Sequence, residues 1–223
     1  MKKVRYVLIL VLILLSVGCG KHNTKELSEL SKYKNNMLKN VINYGYVIKY
    51  DTKVDDNNYT ISIECKNDLE NKIGYCYTSG YYYDVEKYIN YNNKVYYYRN
   101  VHPDNTTNWM SMNKYFNSNP NHFLNIVDSI TEINKRKDED GTYYTGIIKD
   151  GLTLAILLQE VDSRIDTGNF DESIMNVPIE VFVNKAGYIE KITTSFGKDN
   201  KVVMEFADYN LLKQIEIPKE VSN

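Results

Sequence analysis

The spacing of apolar side chains predicts that most of the chain forms β-strands. Residues 44–50 place Tyr, Tyr, Ile and Tyr at every second position, and residues 59–65 place Tyr, Ile, Ile and Cys in the same way. A period of two is typical of strands that bury one face. Further strand signals cover residues 85–89, 94–99, 130–135, 142–148, 177–183, 188–196 and 201–209. Clusters of Asp, Asn and Gly follow several of these segments, so we expect antiparallel hairpins.

Other segments follow the helical period. Residues 26–42 repeat apolar side chains at helical spacing. Asn119 and Pro120 are typical of a helix start, and apolar residues recur after them as far as Ile130. Residues 152–161 are apolar on nearly every side, so a helix there must be covered on more than one face. This last run is too short to span a bilayer.

This order of elements predicts an α+β fold. Sequential hairpins favour a strongly curved antiparallel β-sheet, a half-barrel, with the inserted helices on its concave side. No long linker interrupts the chain. We therefore expect residues 26–223 to form a single domain.

The first residues have the composition of an export signal. Basic residues at positions 2, 3 and 5 precede an apolar run over residues 7–15, and small residues follow at 16–18. The sequence LSVGC of residues 15–19 resembles the lipobox of bacterial lipoproteins. The resemblance implies a lipoprotein signal peptide in residues 1–18, lipidation of Cys19 and a tether in residues 19–25. A plain secretory signal with an incidental Cys and an uncleaved anchor are the alternatives.

The charge balance bears on how the chain would meet a membrane. The formal net charge is -2, and loss of residues 1–18 would remove three positive charges and no negative ones, giving -5. Anionic headgroups repel a mildly acidic domain. Attachment to the extracytoplasmic face of the cell membrane would therefore rest on lipid at Cys19, since two acyl chains anchor a protein stably. The same balance argues against a nucleic-acid partner, because such binding depends on positive charge.

Tyrosine is unusually abundant, with 21 Tyr against 6 Phe and 1 Trp. The runs at residues 81–83 and 96–98 place rings on both faces of a strand. A Tyr ring packs as an apolar group while its hydroxyl requires a hydrogen-bond partner. The runs fit sheet packing with a wet outer face, and they equally fit a binding surface, either a cavity wall or an aromatic platform.

The order of elements over residues 41–221 resembles the half-open β-barrel lipoproteins typified by the lipoprotein carrier LolA and the mycobacterial LppX/LprG group. The likeness is carried by residues 93–98 followed by Trp109, by the hairpin of residues 177–189 and by the ending of residues 206–218. It implies a hydrophobic cavity between sheet and helices, which in that family holds acyl chains. The candidate lining residues are Trp109, Phe123, Leu124, Val127, Leu154, Leu157, Leu158 and Val161.

Cys65 and Cys76 are candidates for a disulfide bond, because disulfides persist in exported proteins. A hairpin that turns near residues 70 and 71 would place the two side chains opposite each other, within the short distance that a bridge requires. Free structural thiols are the alternative.

No local motif indicates catalysis or a metal site. His22 lies in the predicted tether, and His102 and His122 lie neither near a Cys nor in an H-E-x-x-H frame. Residues 138–141 look faintly like a calcium loop, but Arg136 and Ile147 occupy positions that need ligands. No G-x-S-x-G elbow and no glycine-rich phosphate loop occurs. We therefore expect no enzyme activity, no cofactor and no metal.

The sequence supports two hypotheses about function. The leading one is a lipid-anchored, extracytoplasmic lipoprotein that binds or carries a hydrophobic, lipid-like ligand. The alternative is a non-catalytic module of the cell envelope that uses Tyr-rich surfaces to bind glycans or proteins. In the first, the tyrosines face a cavity; in the second, they face outwards.

The lipid anchor can be tested by metabolic labelling with radioactive palmitate. We expect Cys19→Ala to abolish labelling, because the acyl chains have no other attachment point in the motif. Ser16→Ala alters the same motif without removing the thiol, so this control should keep its label. Retention of the label by Cys19→Ala would contradict the assignment.

Overall fold

Hydrogen-bonded strands form one continuous antiparallel sheet in this computed structural model, which describes residues 24–54, 57–80, 83–92, 94–100, 109–112, 124–151, 154, 175–197 and 199–222. The helices among these residues are α1 (Thr24–Asn40), a 3-10 helix (Ile126–Ser129) and α2 (Lys219–Ser222). The strands are β1 (Asn43–Val54), β2 (Asn57–Asp68), β3 (Ile73–Gly80), β4 (Tyr83–Tyr91), β5 (Lys94–Asn100), β6 (Met110–Met112), β7 (Ile130–Lys137), β8 (Gly141–Asp150), β9 (Met175–Asn184), β10 (Ile189–Phe196) and β11 (Asn200–Ala207).

The first and last strands are neighbours in the middle of the sheet. The strand order is β6-β5-β4-β3-β2-β1-β11-β10-β9-β8-β7, which leaves the sheet open with β6 and β7 at its edges. Every pair except β1 and β11 joins strands that are consecutive in the sequence. Within the central pair, Tyr46 faces Phe206 and Ile48 faces Met204. The predicted antiparallel sheet with few helices is therefore correct for the described residues.

Alternating burial divides the sheet into two faces. The inner face packs into the hydrophobic core and carries the buried side chains of Tyr44, Tyr46, Ile48, Tyr50, Ile61, Ile63, Cys65, Cys76, Tyr144, Val181, Ile192 and Met204. The outer face carries the residues between them, such as Val47, which faces Glu64 on β2 and Glu205 on β11. Burial of the apolar inner side chains is the main favourable contribution to this arrangement.

Helix α1 covers one end of the inner face. It buries Leu30 and Met37, and its main contacts are with β7, β10 and the 3-10 helix. Lys34 is only 5% exposed and pairs with Asp128 of the 3-10 helix. Lys135 Nζ lies 2.6 Å from Glu29 Oε1, and this hydrogen bond holds the pKa of Glu29 below its ordinary value. The helix is thus fixed by packing and by ion pairs at the β7–β10 end.

The structure corrects several predicted boundaries. The first helix runs from Thr24 to Asn40, two residues earlier at each end than predicted. Ile130 begins β7, as its strand signal predicts, and is not part of the preceding helix. Strand β11 ends at Ala207 because Asp208 has a φ of 56°, which is left-handed and incompatible with an extended strand.

Some sequence predictions fall outside the described residues. They include the signal peptide, Cys19, the helix start at Asn119 and most of the apolar segment 152–161, of which Leu154 is described as helical and buried. Among the residues that are described, no helix combines the length and the apolar character needed to cross a membrane.

After β11 the chain runs across the start of β1 as an irregular segment, residues 208–218. The backbone N–H of Asn210 donates to the Asn43 carbonyl at 2.8 Å. The Asn210 side chain accepts from Ile42 N at 2.8 Å, and Asn43 Oδ1 accepts from Leu212 N at 3.1 Å. These bonds fix the segment against the sheet without extending the sheet by a further strand.

Cys65 and Cys76 form a disulfide bond between β2 and β3. The two residues face each other in the strand register, and their Cα atoms are 4.1 Å apart. Both side chains lie on the inner face and are buried. The bridge therefore fixes the register of this hairpin.

Removal of the bridge should destabilise the fold measurably. We expect Cys65→Ala/Cys76→Ala to lower the free energy of unfolding by about 2–3 kcal/mol, because the bridge closes a short loop in the unfolded chain. Urea unfolding of the variant and of the reduced protein measures the effect. Labelling both thiols in denatured, unreduced protein would show that no bridge exists.

Candidate functional site

Three of the predicted cavity residues belong to the buried core of the inner face. Leu124 is 1% exposed, Val127 is fully buried in the 3-10 helix, and Leu154 is buried in the same cluster. Phe123, Leu157, Leu158 and Val161 lie outside the described residues. Leu124, Val127 and Leu154 therefore belong to one buried core.

Trp109 lies elsewhere. It lines a cleft of about 690 Å³ with Lys66, Tyr75 and residues 211–218. Lys66 and Tyr75 face each other on β2 and β3, on the outer face of the sheet. The structure thus separates Trp109 from Leu124, Val127 and Leu154. Trp109 precedes an edge strand of only three residues. The sequence around it therefore shows no alternation that would predict on which face of the sheet the side chain lies.

Tyrosines line the inner face along β1. The rings of Tyr44 and Tyr46 stack with centroids 6.2 Å apart, and Tyr50 stacks on Phe196 at 6.3 Å. The Tyr50 hydroxyl donates to Asn200 Oδ1 at 2.8 Å. Burial raises the pKa of Tyr44 and of Tyr46 above the ordinary value, so both phenols stay neutral. This part of the inner face is therefore aromatic and uncharged.

Among the described residues, three buried polar atoms of the inner face have no hydrogen-bond partner, namely Tyr44 Oη, Asn67 Nδ2 and Tyr144 Oη. Tyr44 and Asn67 face each other across β1 and β2. Buried polar atoms are nearly always partnered in folded proteins, so this pair marks the inner face as unusual at one end of the sheet.

A depression in the outer face is centred on Gly45. Gly45 faces Ala207 on β11 and Lys66 on β2. The cleft above it has a volume of about 530 Å³ and is walled by Tyr75 and Tyr77. Because glycine has no side chain and alanine has only a methyl group, the floor lies lower than its surroundings.

Two further clefts adjoin the depression, and Asp208 lines all three. One is the cleft that contains Trp109. The other measures about 710 Å³ and contains Tyr143 and Phe182, whose ring centroids are 4.7 Å apart. We call the three together the outer groove. Its walls are aromatic, and residues 208–218 form one of its sides.

The charges of the outer groove are mixed and partly paired. Lys191 Nζ lies 2.8 Å from Glu205 Oε1, and this hydrogen bond holds the pKa of Glu205 below its ordinary value. Burial raises the pKa of Tyr75, and the nearby Tyr77 and Glu64 raise it further. The groove therefore offers positively and negatively charged hydrogen-bonding side chains beside aromatic rings.

No metal site is found within the described part of the chain, where no group of three or more His, Cys, Asp and Glu side chains is suitably placed. Residues 138–141 form a tight hairpin turn, in which Asp138 N donates to the Gly141 carbonyl at 2.9 Å. His102 and His122 lie outside the described residues.

Four residues of these sites were not predicted from the sequence, namely Gly45, Asn67, Tyr75 and Tyr77. A signal for the two tyrosines was present, since they flank Cys76 and must point away from a Cys65–Cys76 bridge. Of the tyrosine runs, residues 81 and 82 lie outside the described residues, whereas Tyr96 is half-buried and faces Ile89. The burial of Asn67 could not be predicted, because an Asn at the end of a strand usually indicates a turn.

No family model and no curated protein matches the chain. Solved structures that are similar include lipoprotein LppX of Mycobacterium tuberculosis, with 10% identity, a TM-score of 0.47 and coverage of 85% of this chain and 97% of that one. A LolA superfamily protein of Nitrosomonas europaea has 9% identity and a TM-score of 0.31 over 87% of this chain and 95% of its own. A DUF1329 family protein of Desulfovibrio piger has 9% identity and a TM-score of 0.33 over 84% and 95%.

The resemblance to LolA and LppX that was expected from the sequence is thus found again among solved structures.

Proposed function

We propose that the chain is a lipid-anchored, extracytoplasmic lipoprotein that binds a hydrophobic, lipid-like ligand at the inner face of its sheet, without catalysis. One observation carries the proposal. The inner face is apolar from β1–β3 to β8–β10, whereas α1 packs mainly on β7, β10 and the 3-10 helix. The inner side chains of β1–β3 are nevertheless buried, so they have an apolar cover other than α1.

The predicted apolar helix 152–161 is suited to part of that cover, since its one described residue, Leu154, is buried in the same core. A helix that is apolar on nearly every side can contact the sheet on one face and a ligand on another. In this proposal the sheet is a half-barrel, with α1 and the 152–161 helix on its concave side. Acyl chains would lie between that helix and β1–β3.

The exported location rests on two features of the chain. The sequence LSVGC at residues 15–19 resembles a lipobox, and the Cys65–Cys76 bridge is of the kind that persists outside the reducing cytosol. Because the domain without residues 1–18 carries a net negative charge, anionic headgroups would repel it, and membrane attachment would depend on the lipid.

The ligand proposal is tested by extracting non-covalent lipid from the purified full chain and measuring it by mass spectrometry. We expect a stoichiometric lipid from the wild type. Ile61→Phe adds volume at the inner face and should lower the lipid content several-fold, because a filled site cannot hold the chain. Ser62→Phe adds the same group on the outer face and should leave the lipid content unchanged. Wild-type protein without extractable lipid would contradict the proposal.

The outer groove favours a second candidate function, the binding of an envelope glycan or protein. Its aromatic walls offer flat apolar surfaces, and its charged side chains can hydrogen-bond hydroxyl or amide groups. The depression at Gly45 admits a group of a few atoms between Tyr75, Tyr77 and Asp208.

The two candidates are separated by a pair of variants. Tyr77→Ala removes one wall of the outer groove, so it should weaken retention of the protein on purified cell-wall material and leave the lipid content unchanged. Ile61→Phe should have the opposite effects. Equal retention of wild type and Tyr77→Ala on the cell-wall material would remove the second candidate.

A further inference from the structure

Tyr44 and Asn67 form a pair of buried donors that the protein itself does not use. Each residue is 3% exposed, and the two face each other on the inner face. Tyr44 Oη and Asn67 Nδ2 have no partner, whereas Tyr50, on the same face of β1, donates to Asn200 Oδ1. A buried donor without an acceptor destabilises a protein. Two such donors on residues that face each other therefore indicate that an acceptor from outside the chain binds there.

The chemistry of the pair defines the acceptor. The Asn67 Nδ2 amide group is a donor only, and a neutral phenol donates through its hydroxyl. The next residue in the same row, Gly74 on β3, carries no side chain. Two donors on facing residues fit an oxygen that accepts two hydrogen bonds, as a carbonyl oxygen does.

The described charges of the inner face disfavour an anionic head group at this place. Among the described residues, Lys34 is the only buried cationic side chain, and it is paired with Asp128 beside α1. A carboxylate or phosphate bound at Tyr44 and Asn67 would be buried without a counter-charge, which is strongly unfavourable. A neutral carbonyl carries no such penalty.

We propose that Tyr44 and Asn67 bind the ester carbonyl of a neutral acylglycerol, whose acyl chains lie on the apolar inner face. This inference rests on the proposed function, since it specifies the polar part of the same ligand. The surroundings of the pair are apolar and aromatic, with Tyr46 stacked on Tyr44. Such surroundings strengthen a hydrogen bond to the ester, because water does not compete for the donors.

Native mass spectrometry of the full chain, with dioleoylglycerol and its diether analogue as probes, tests the assignment. The two probes share their chains, but only the diester offers carbonyl oxygens. We expect the wild type to prefer the diester by roughly tenfold, as two hydrogen bonds of ordinary strength would give. Tyr44→Phe/Asn67→Leu should bind both probes alike. The single variant Tyr44→Phe should show an intermediate preference.

Tyr209→Phe is the matched control. It also removes a phenol hydroxyl, but this hydroxyl donates to the Ile189 carbonyl, and Tyr209 lines the outer groove and not the proposed lipid site. It should lower the melting temperature and keep the preference for the diester. Tyr44→Phe should leave the melting temperature of the ligand-free protein unchanged or higher, because it removes an unpaired donor.

The outcomes separate the two proposals. A wild type that binds the diester and the diether equally would overturn the assignment of Tyr44 and Asn67 while leaving hydrophobic binding intact. An unchanged preference in the double variant would have the same meaning. A wild type that binds neither probe would overturn both the assignment and the proposed function.

Discussion

The pairing of β1 with β11 is the interaction on which the rest of the structure depends. Every other neighbouring pair of strands is a local hairpin or a return between consecutive strands, and each half of the sheet would be an isolated meander without this contact. The register that sets Tyr46 opposite Phe206 continues the inner face across both halves. The same register sets Gly45 opposite Ala207 and so creates the depression in the outer face. Both candidate sites are consequences of one strand pair.

The abundance of tyrosine has a different meaning on each side of the sheet. Tyr44, Tyr46 and Tyr50 are buried on the inner face of β1, where their hydroxyl groups introduce polarity into an apolar surface. Tyr75 and Tyr77 stand on the outer face of β3, where their rings wall a cleft. A leucine or phenylalanine would serve packing equally well at the inner positions but would offer no donor. The aromatic excess is therefore compatible with a cavity whose wall selects polar groups on an otherwise apolar ligand.

Local patterns in the sequence predicted the strands well, because period-two alternation reports directly on which residues are buried. The predicted segments 44–50 and 177–183 lie within β1 and β9, and the turn between Cys65 and Cys76 follows from their spacing. The union of β1 with β11 was not predictable in this way, since no local pattern specifies a partner far along the chain. The face of Trp109 and the lack of partners for Asn67 depend on that tertiary arrangement. They were accessible only from the folded structure.

The central position of the first and last strands also determines when the sheet can form. Tyr50 and Asn200, which bond across this centre, are 150 residues apart in the sequence. Contacts of such long range are slow to form, because the chain must first close a large loop. The nascent chain therefore cannot form the middle of its sheet before β11 has been synthesised, and until then the two halves can exist only as separate meanders.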